Sequence, residues 1–262
     1  MSLVLCIVVS FAASLTGAIC GIGGGVIIKP VLDLFQVADV TTIHFLSSCT
    51  VLAMSLYSVV KNLLGGEKRV SMKTGTFLAA GAILGGFLGK WLFQRAALLF
   101  SESSRLTSAQ SLLLAVLMML SLCYMLSSNR IRKHEIKNSA ACVCIGTGLG
   151  TISSFLGIGG GPFNLLVFDY FFKMNIKEAA VNSLYVIMCS QLSGLFINIA
   201  TKAVPDFSKP TLIAMVICGI GGGFFGRRIN KALPEKHVQK LFHILIIVII
   251  GIAVSNFIRG LR

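Results

Sequence analysis

The sequence predicts an all-α polytopic membrane protein of two inverted-topology repeats, each a glycine-broken re-entrant helical hairpin plus three transmembrane helices. Three observations carry that expectation. The first is composition: of 262 residues, 55% are hydrophobic and 12% charged, with a mean hydropathy of +0.88, whereas a soluble domain carries about 25% charged residues. The second is a repeat, because Gly21-Ile22-Gly23-Gly24-Gly25 is spelled again at Gly157-Ile158-Gly159-Gly160-Gly161. The third is the placement of Lys and Arg, which fill the short gaps between apolar runs. The net charge of +14 therefore sets orientation and does not make a nucleic-acid surface.

Residues 3–20 form an apolar run that ends on the first glycines, and residues 26–35 continue it beyond them. A run of glycines breaks a helix. Lacking Cβ atoms, the backbone reaches φ > 0 and turns its N–H groups inward, which hydrocarbon permits only where protein, water or a ligand receives them. The run is longer than a small-xxx-small packing face requires, so the two runs are read as the working centre. The opening segment has a signal peptide's length but no basic n-region, and it matches the start of the second half, so it is kept in the mature chain. After a polar gap at Asp39, Thr41 and Thr42, residues 43–64 suffice to cross hydrocarbon of ~30 Å. Residues 74–93 carry Gly81, Gly85, Gly86 and Gly89, a close-packing face, and residues 108–127, rich in Leu and Met, face lipid. Residues 128–138, with Arg130, Arg132, Lys133 and Lys137 against Glu135, form a basic cytoplasmic linker between a first membrane repeat (1–127) and a second (139–262).

The second half follows the same plan: an apolar run at 139–156, the glycines, a short run at 162–172, then spans at 179–201, 211–229 and 241–258. Asp33 lies eight residues after Gly25, and Asp169 eight after Gly161. Gly85-Gly86-x-x-Gly89-Lys90 has its counterpart in Gly222-Gly223-x-x-Gly226-Arg227. His44 aligns with Asn182 on this reading. All eight cysteines fall within apolar segments and read as small packing residues.

Two topologies compete. If each broken segment crosses completely, alternate sides hold 12 and 10 basic residues, which is no contrast. If each is a re-entrant hairpin, one side holds 15 and the other 7, with Lys90 counted among the loop cations. The hairpin topology leaves three crossings per half, so the second half is upside down and both termini lie outside the cytoplasm.

In such a pair the two turns meet near the midplane, and the short helices starting at Val26 and Pro162 point their N-termini at one cavity. Each N-terminus offers free N–H groups and about half a positive charge, which suits an anion. Pro162 fits a first helical turn. The candidate binding residues are Gly21, Gly23, Gly24, Gly25, Lys29, His44, Gly157, Gly159, Gly160, Gly161, Asn164 and Asn182. Lys29 is the one basic residue set deep in an apolar segment; it serves the anion, snorkels, or pairs with Asp33. Asp33 and Asp169 are candidates for a coupled proton, or simply solvated helix ends. The dinucleotide-like Gly221-x-Gly223-x-x-Gly226 lies in a span with no strand before it, so it is a packing face. Neither glycine run continues into Gly-Lys-Ser/Thr, which argues against ATP-driven pumping. The four histidines are scattered, so neither a metal site, a cofactor nor an enzyme is expected.

The paired Gly-x-Gly-Gly-Gly motifs, one per half in a chain of this length, resemble the sulfite exporter TauE/SafE family of membrane permeases. Gly21, Gly23, Gly24, Gly25 and Pro30 stand at the family's glycines and following proline; in the second copy Pro162 follows Gly161 directly and Leu166 occupies the place matching Pro30. The resemblance implies a secondary transporter of the cell membrane for sulfite, a sulfonate or another small sulfur-containing anion. The partners expected are that anion and the lipid bilayer, with no nucleic acid; a homo-oligomer is compatible with this surface. The alternative is an anion channel with a fixed pore formed by the two glycine turns.

Overall fold

The computed structural model describes residues 2–64, 72–100, 103–128, 133–136 and 138–260. Glu67, Lys68, Arg69 and Glu102, together with Arg130, Arg132 and Lys137 of the basic linker, lie outside the described residues. The chain runs through α1 (Ser2–Cys20), α2 (Gly25–Leu34), α3 (Val40–Leu64), α4 (Met72–Leu99), α5 (Ser103–Ser127), α6 (Ser139–Leu156), α7 (Pro162–Phe172), α8 (Ile176–Ala200), α9 (Lys209–Ala232) and α10 (Glu235–Arg259). Among the described residues, eight helices are long and apolar enough to cross a membrane; the short α2 and α7 are not among them.

The helix breaks fall where the backbone chemistry demands them. α6 ends on Gly157 in the left-handed conformation (φ 65°), and Pro162 opens α7, where its missing N–H would have had no helical partner. Each broken pair folds back on itself. Cys6 near the start of α1 and Asp33 near the end of α2 line one cavity, shared with Val40 of α3, Ser104 of α5, Thr211 of α9 and Arg259 of α10. We call this the terminal end. At the opposite, linker end, Asp169 near the end of α7 is held by Tyr124 of α5 and Lys133 of the linker and lines a cavity together with Ile176 of α8 and Glu235 of α10, while His134 and Ile136, just before α6, bond the carbonyls of Tyr170 and Phe171.

Packing between the halves is reciprocal. α4 lies on α6 as α9 lies on α1; α4 touches α8 as α9 touches α3; α5 touches α7 as α10 touches α2; and α3 packs on α8 as α5 does on α10. The first limb of each hairpin is thus clasped by a helix of the other half. Glycine makes the clasp close. A Cβ built on Gly85 would run into the carbonyl of Thr147 on α6, and one on Gly226 into the carbonyl of Leu15 on α1. α5 turns Leu112, Val116, Met119 and Leu120 outward while Leu114 and Met118 are buried, as a lipid-facing helix should.

Two sequence expectations are corrected. Gly21 stands against Ala180 and Gly157 against His44, while Gly23 and Gly159 both stand against Val51 and Ile187. The offset that relates Gly21 to Gly157 therefore pairs His44 with Ala180, and Asn182 with Leu46, so the alignment of His44 with Asn182 is out by two positions. Lys90 is not a loop cation, because α4 runs on to Leu99 and holds it in the interior.

The clasp predicts a stability split. Gly85→Ala has to push α4 off the α6 backbone and should cost about 1–3 kcal/mol, typical of overpacking. Gly251, whose added Cβ meets nothing within 4 Å, should accept alanine without loss. Melting temperatures of the two variants in detergent check this; equal melting would refute the close contact.

Candidate functional site

The two glycine turns meet inside the bundle. Val51 and Ile187, which both turns touch, lie near the middle of α3 and α8. A Cβ on Gly23 would stand 3.3 Å from the carbonyl oxygen of Gly159, and one on Gly25 would collide with the carbonyl of Ile158. Positive φ occurs at Gly21 and Gly23 in the first turn, and at Gly157, Gly159, Gly160 and Gly161 in the second. Gly24 has φ −66°, so the strain expected of a side chain there does not arise from its backbone. Gly160 has φ 113°, and its missing Cβ would lie 2.7 Å from Asn164 Nδ2. That position excludes any other residue on both counts.

Polar side chains gather beside the turns. Asn164, in the first turn of α7, donates from Nδ2 to Ser183 Oγ at 3.1 Å, and its Oδ1 is buried without a protein partner. Ser47 holds on α3 the position that Ser183 holds on α8; its hydroxyl is also buried and unpartnered. Ser14 Oγ lies 3.1 Å from where a Cβ on Gly24 would stand and has no partner either. His44 presses its ring against Gly157. Asn182 donates 2.9 Å to the Glu178 carbonyl of its own helix.

Lys29 is 3% exposed. Its Nζ donates to Gln110 Oε1 at 2.7 Å and to Asp33 Oδ2 at 3.2 Å. Gln110 Nε2 in turn donates 2.7 Å to the carbonyl of Phe155 at the end of α6. The cation is thus held by a carboxylate one turn along its own helix and by an amide that also ties down the other hairpin. At the linker end, Asp169 accepts from Lys133 Nζ at 2.6 Å and from the Tyr124 hydroxyl at 3.0 Å. Each returning limb therefore ends in an aspartate paired with a lysine, one at each end of the bundle.

Ser14, Ser47, Ser183, Gln110 and Lys90 were not singled out from the sequence. Ser47 and Ser183 carried a signal, since they match once α3 and α8 are aligned by their starts. Gln110 carried none, because its partners are remote in the chain.

This architecture agrees with what comparison finds. The family model for the sulfite exporter TauE/SafE matches residues 6–253. The chain belongs to that family. It is a multi-pass membrane transporter of the TauE/SafE family, and its relatives match along nearly their whole length. A "probable membrane transporter protein" of Haemophilus influenzae is 26% identical, over 98% of this chain and 98% of that protein. Similar proteins described in the same words are 24% identical in Methanocaldococcus jannaschii (90% and 89% covered) and in Bacillus subtilis (95% and 96%). No solved structure matches.

The Lys29–Asp33 pair generates a prediction. Lys29→Gln leaves a buried carboxylate uncompensated and should cost about 3–5 kcal/mol, with most of the loss recovered in Lys29→Gln/Asp33→Asn. Melting temperatures of the single and double variants check it; equal stability of the two would show that the pair is not coupled.

Proposed function

We propose that this TauE/SafE transporter is a secondary permease of the cell membrane for a small anion, namely sulfite, a sulfonate or another sulfur-containing organic anion. The observation that carries the reading is the meeting of two glycine turns at mid-depth, each followed at once by the N-terminus of a short helix. Two N-termini supply N–H donors and partial positive charge to one region without a fixed counter-charge. The unpartnered oxygens of Ser14, Ser47 and Asn164 beside them belong to groups able to adjust to a ligand. The sulfur chemistry rests on the family description alone.

Access supports a permease over a fixed pore. A cavity of about 680 Å³ opens at the terminal end and one of about 260 Å³ at the linker end. Among the described residues, the lining of neither includes a glycine of the turns. Val51 and Ile187 fill the space against the turns. The anion then passes by alternate opening toward one end and the other.

On this reading the halves, 1–127 and 139–262 joined by the linker, are inverted repeats. The hairpins enter from opposite ends, and three crossings separate them. Lys133, Lys173, Lys177, Arg227, Arg228, Lys231, Lys236 and Lys240 belong to the linker end, which is therefore cytoplasmic, with both chain termini outside.

Two experiments test the proposal. In a variant without native cysteines, single cysteines at Ser128, Asn138 and Gln239 should be labelled from the cytoplasm, and one at Ser2 or Arg262 from outside; termini on opposite sides would refute the inverted arrangement. In proteoliposomes the protein should show saturable counterflow of labelled sulfite or methanesulfonate. Gly160→Ala should lower the rate at least about tenfold, since it strains the turn and crowds Asn164. Wild-type transport by Gly160→Ala would remove the turn from the mechanism.

A further inference from the structure

Between the terminal-end cavity and the glycine turns stand Lys90 and Phe93, with His44 joining them to Gly157 of the second turn. Lys90 is 4% exposed, and its Nζ sits 4.6 Å from the centroid of Phe93. The imidazole of His44 stacks on the same ring at 3.9 Å and 15°. His44 Nδ1 is buried, has no partner, and faces Gly157 of the second turn. Phe93 packs with Val40 and Leu106, and Val40 lines the cavity. The chain of contacts therefore runs from the cavity wall through Phe93 and His44 to the glycines. We propose that Lys90 and His44, gathered on Phe93, form an anion-binding step that passes the oxyanion head of a sulfite or sulfonate between the terminal-end cavity and the glycine turns. This step rests on the small-anion permease reading.

Charge and asymmetry support it. Lys29 has Asp33 as its counter-ion. Among the described residues no carboxylate pairs with Lys90, so this interior holds one more lysine than it has carboxylates to pair with it. A buried charge without a partner is costly, and an aromatic face offsets the cost only in part. The equivalent positions of the other half are furnished differently. Arg227, which matches Lys90, donates to Asn62 Oδ1 and the Lys61 carbonyl. Asn230, which matches Phe93, donates to the Ile19 carbonyl, and Ala180 replaces His44. There the cation is fully occupied in fastening helices. On the Lys90 side the cation rests on Phe93 and the imidazole Nδ1 beside Gly157 has no partner, and a lysine's point charge suits a pyramidal or tetrahedral oxyanion approached from any side.

The competing account is structural: Lys90 lies near Ser154 and Gly194, where its charge could steady the C-terminal end of α6. Calorimetric titration of the purified, full-length protein with sulfite, methanesulfonate, sulfate and acetate, with melting temperatures taken before ligand is added, separates the two. Expected is binding of sulfite or methanesulfonate by the wild type, weakened at least about tenfold in Lys90→Met and retained in Lys90→Arg, the size of a lost charge-assisted contact. His44→Leu should weaken binding as well. The ligand-free melting temperature of Lys90→Met should hold or rise, because an uncompensated charge has gone. Wild-type affinity in Lys90→Met overturns the proposal and leaves the permease reading standing. A lower ligand-free melting temperature in Lys90→Met, restored by Lys90→Arg, makes Lys90 a support of α6 and overturns it too. Failure of the wild type to bind any of the four anions sinks the permease reading and the proposal together.

Discussion

A peptide group in hydrocarbon has to be satisfied by protein, and the rest of the structure follows from that constraint. Two helices stop inside the bundle, leaving carbonyls at the ends of α1 and α6 with no next turn to accept from. The same position is capped in each. Asn230 of α9 donates to the carbonyl of Ile19, and Gln110 of α5 to the carbonyl of Phe155. Neither cap comes from the hairpin it serves. Because the broken backbone needs donors brought from elsewhere, each hairpin is enclosed by spans distant in sequence, and the stretches 17–26 and 156–165 are buried throughout. A reciprocal clasp of α1 by α9 and α6 by α4 is a packing that meets this need, and glycine on α4 and α9 lets the backbones come near enough.

How much of this was legible in the sequence depends on whether a feature repeats. The doubled glycine motif announced both helix breaks, and glycines at spacings of four on residues 74–93 announced the face that meets α6. The return of each short limb to its own end followed from counting basic residues and agrees with the cavity shared by Cys6 and Asp33 and with the backbone bonds from His134 and Ile136, just before α6, to Tyr170 and Phe171 at the end of α7. Pairing across the interior left no such trace. Nothing local in residues 26–35 says that Lys29 meets Gln110, and nothing near Leu156 says that its neighbour's carbonyl needs that same glutamine. The misalignment of His44 with Asn182 has a related cause. α3 and α8 are apolar enough on all sides that hydropathy does not fix their register, which the contacts of Gly21 and Gly157 settle instead. Lys90 was counted with the loop cations although it stands inside the span at 74–93, because it lies near that span's end until the helix is seen to continue to Leu99.

The two halves share a backbone plan but not a charge plan. Asp33 is paired by a lysine of its own helix, and both side chains are sealed, at 3% and 4% exposure. Asp169 is paired by a lysine from the linker, at 26% and 32% exposure. A buried pair is held by geometry and breaks only at high cost, whereas an exposed one is screened and contributes little. The terminal-end hairpin is therefore locked from within by Lys29, Asp33 and Gln110. The linker-end hairpin is fastened from outside, by Lys133 and by the backbone bonds of His134 and Ile136 to the carbonyls of Tyr170 and Phe171.

For an anion that crosses this bundle, the difference between partial and full charges matters. A free ammonium at mid-depth would hold an anion by a large coulombic term in a low dielectric, and release would be slow. Helix N-termini offer only about half a charge each and lose their hold within a turn. The chain places its turns, not its lysines, at the level of Val51 and Ile187. Lys29 is further neutralised by Asp33, and Lys90 is set to one side on Phe93. On the proposed small-anion permease, weak donors at the centre with stronger charges off the midline would make a gradient that draws an anion in without trapping it. An inside-negative potential adds about 2.3 kcal/mol per charge per 100 mV toward the outside, so outward passage through such a centre needs no coupled ion, while inward passage has to overcome that work.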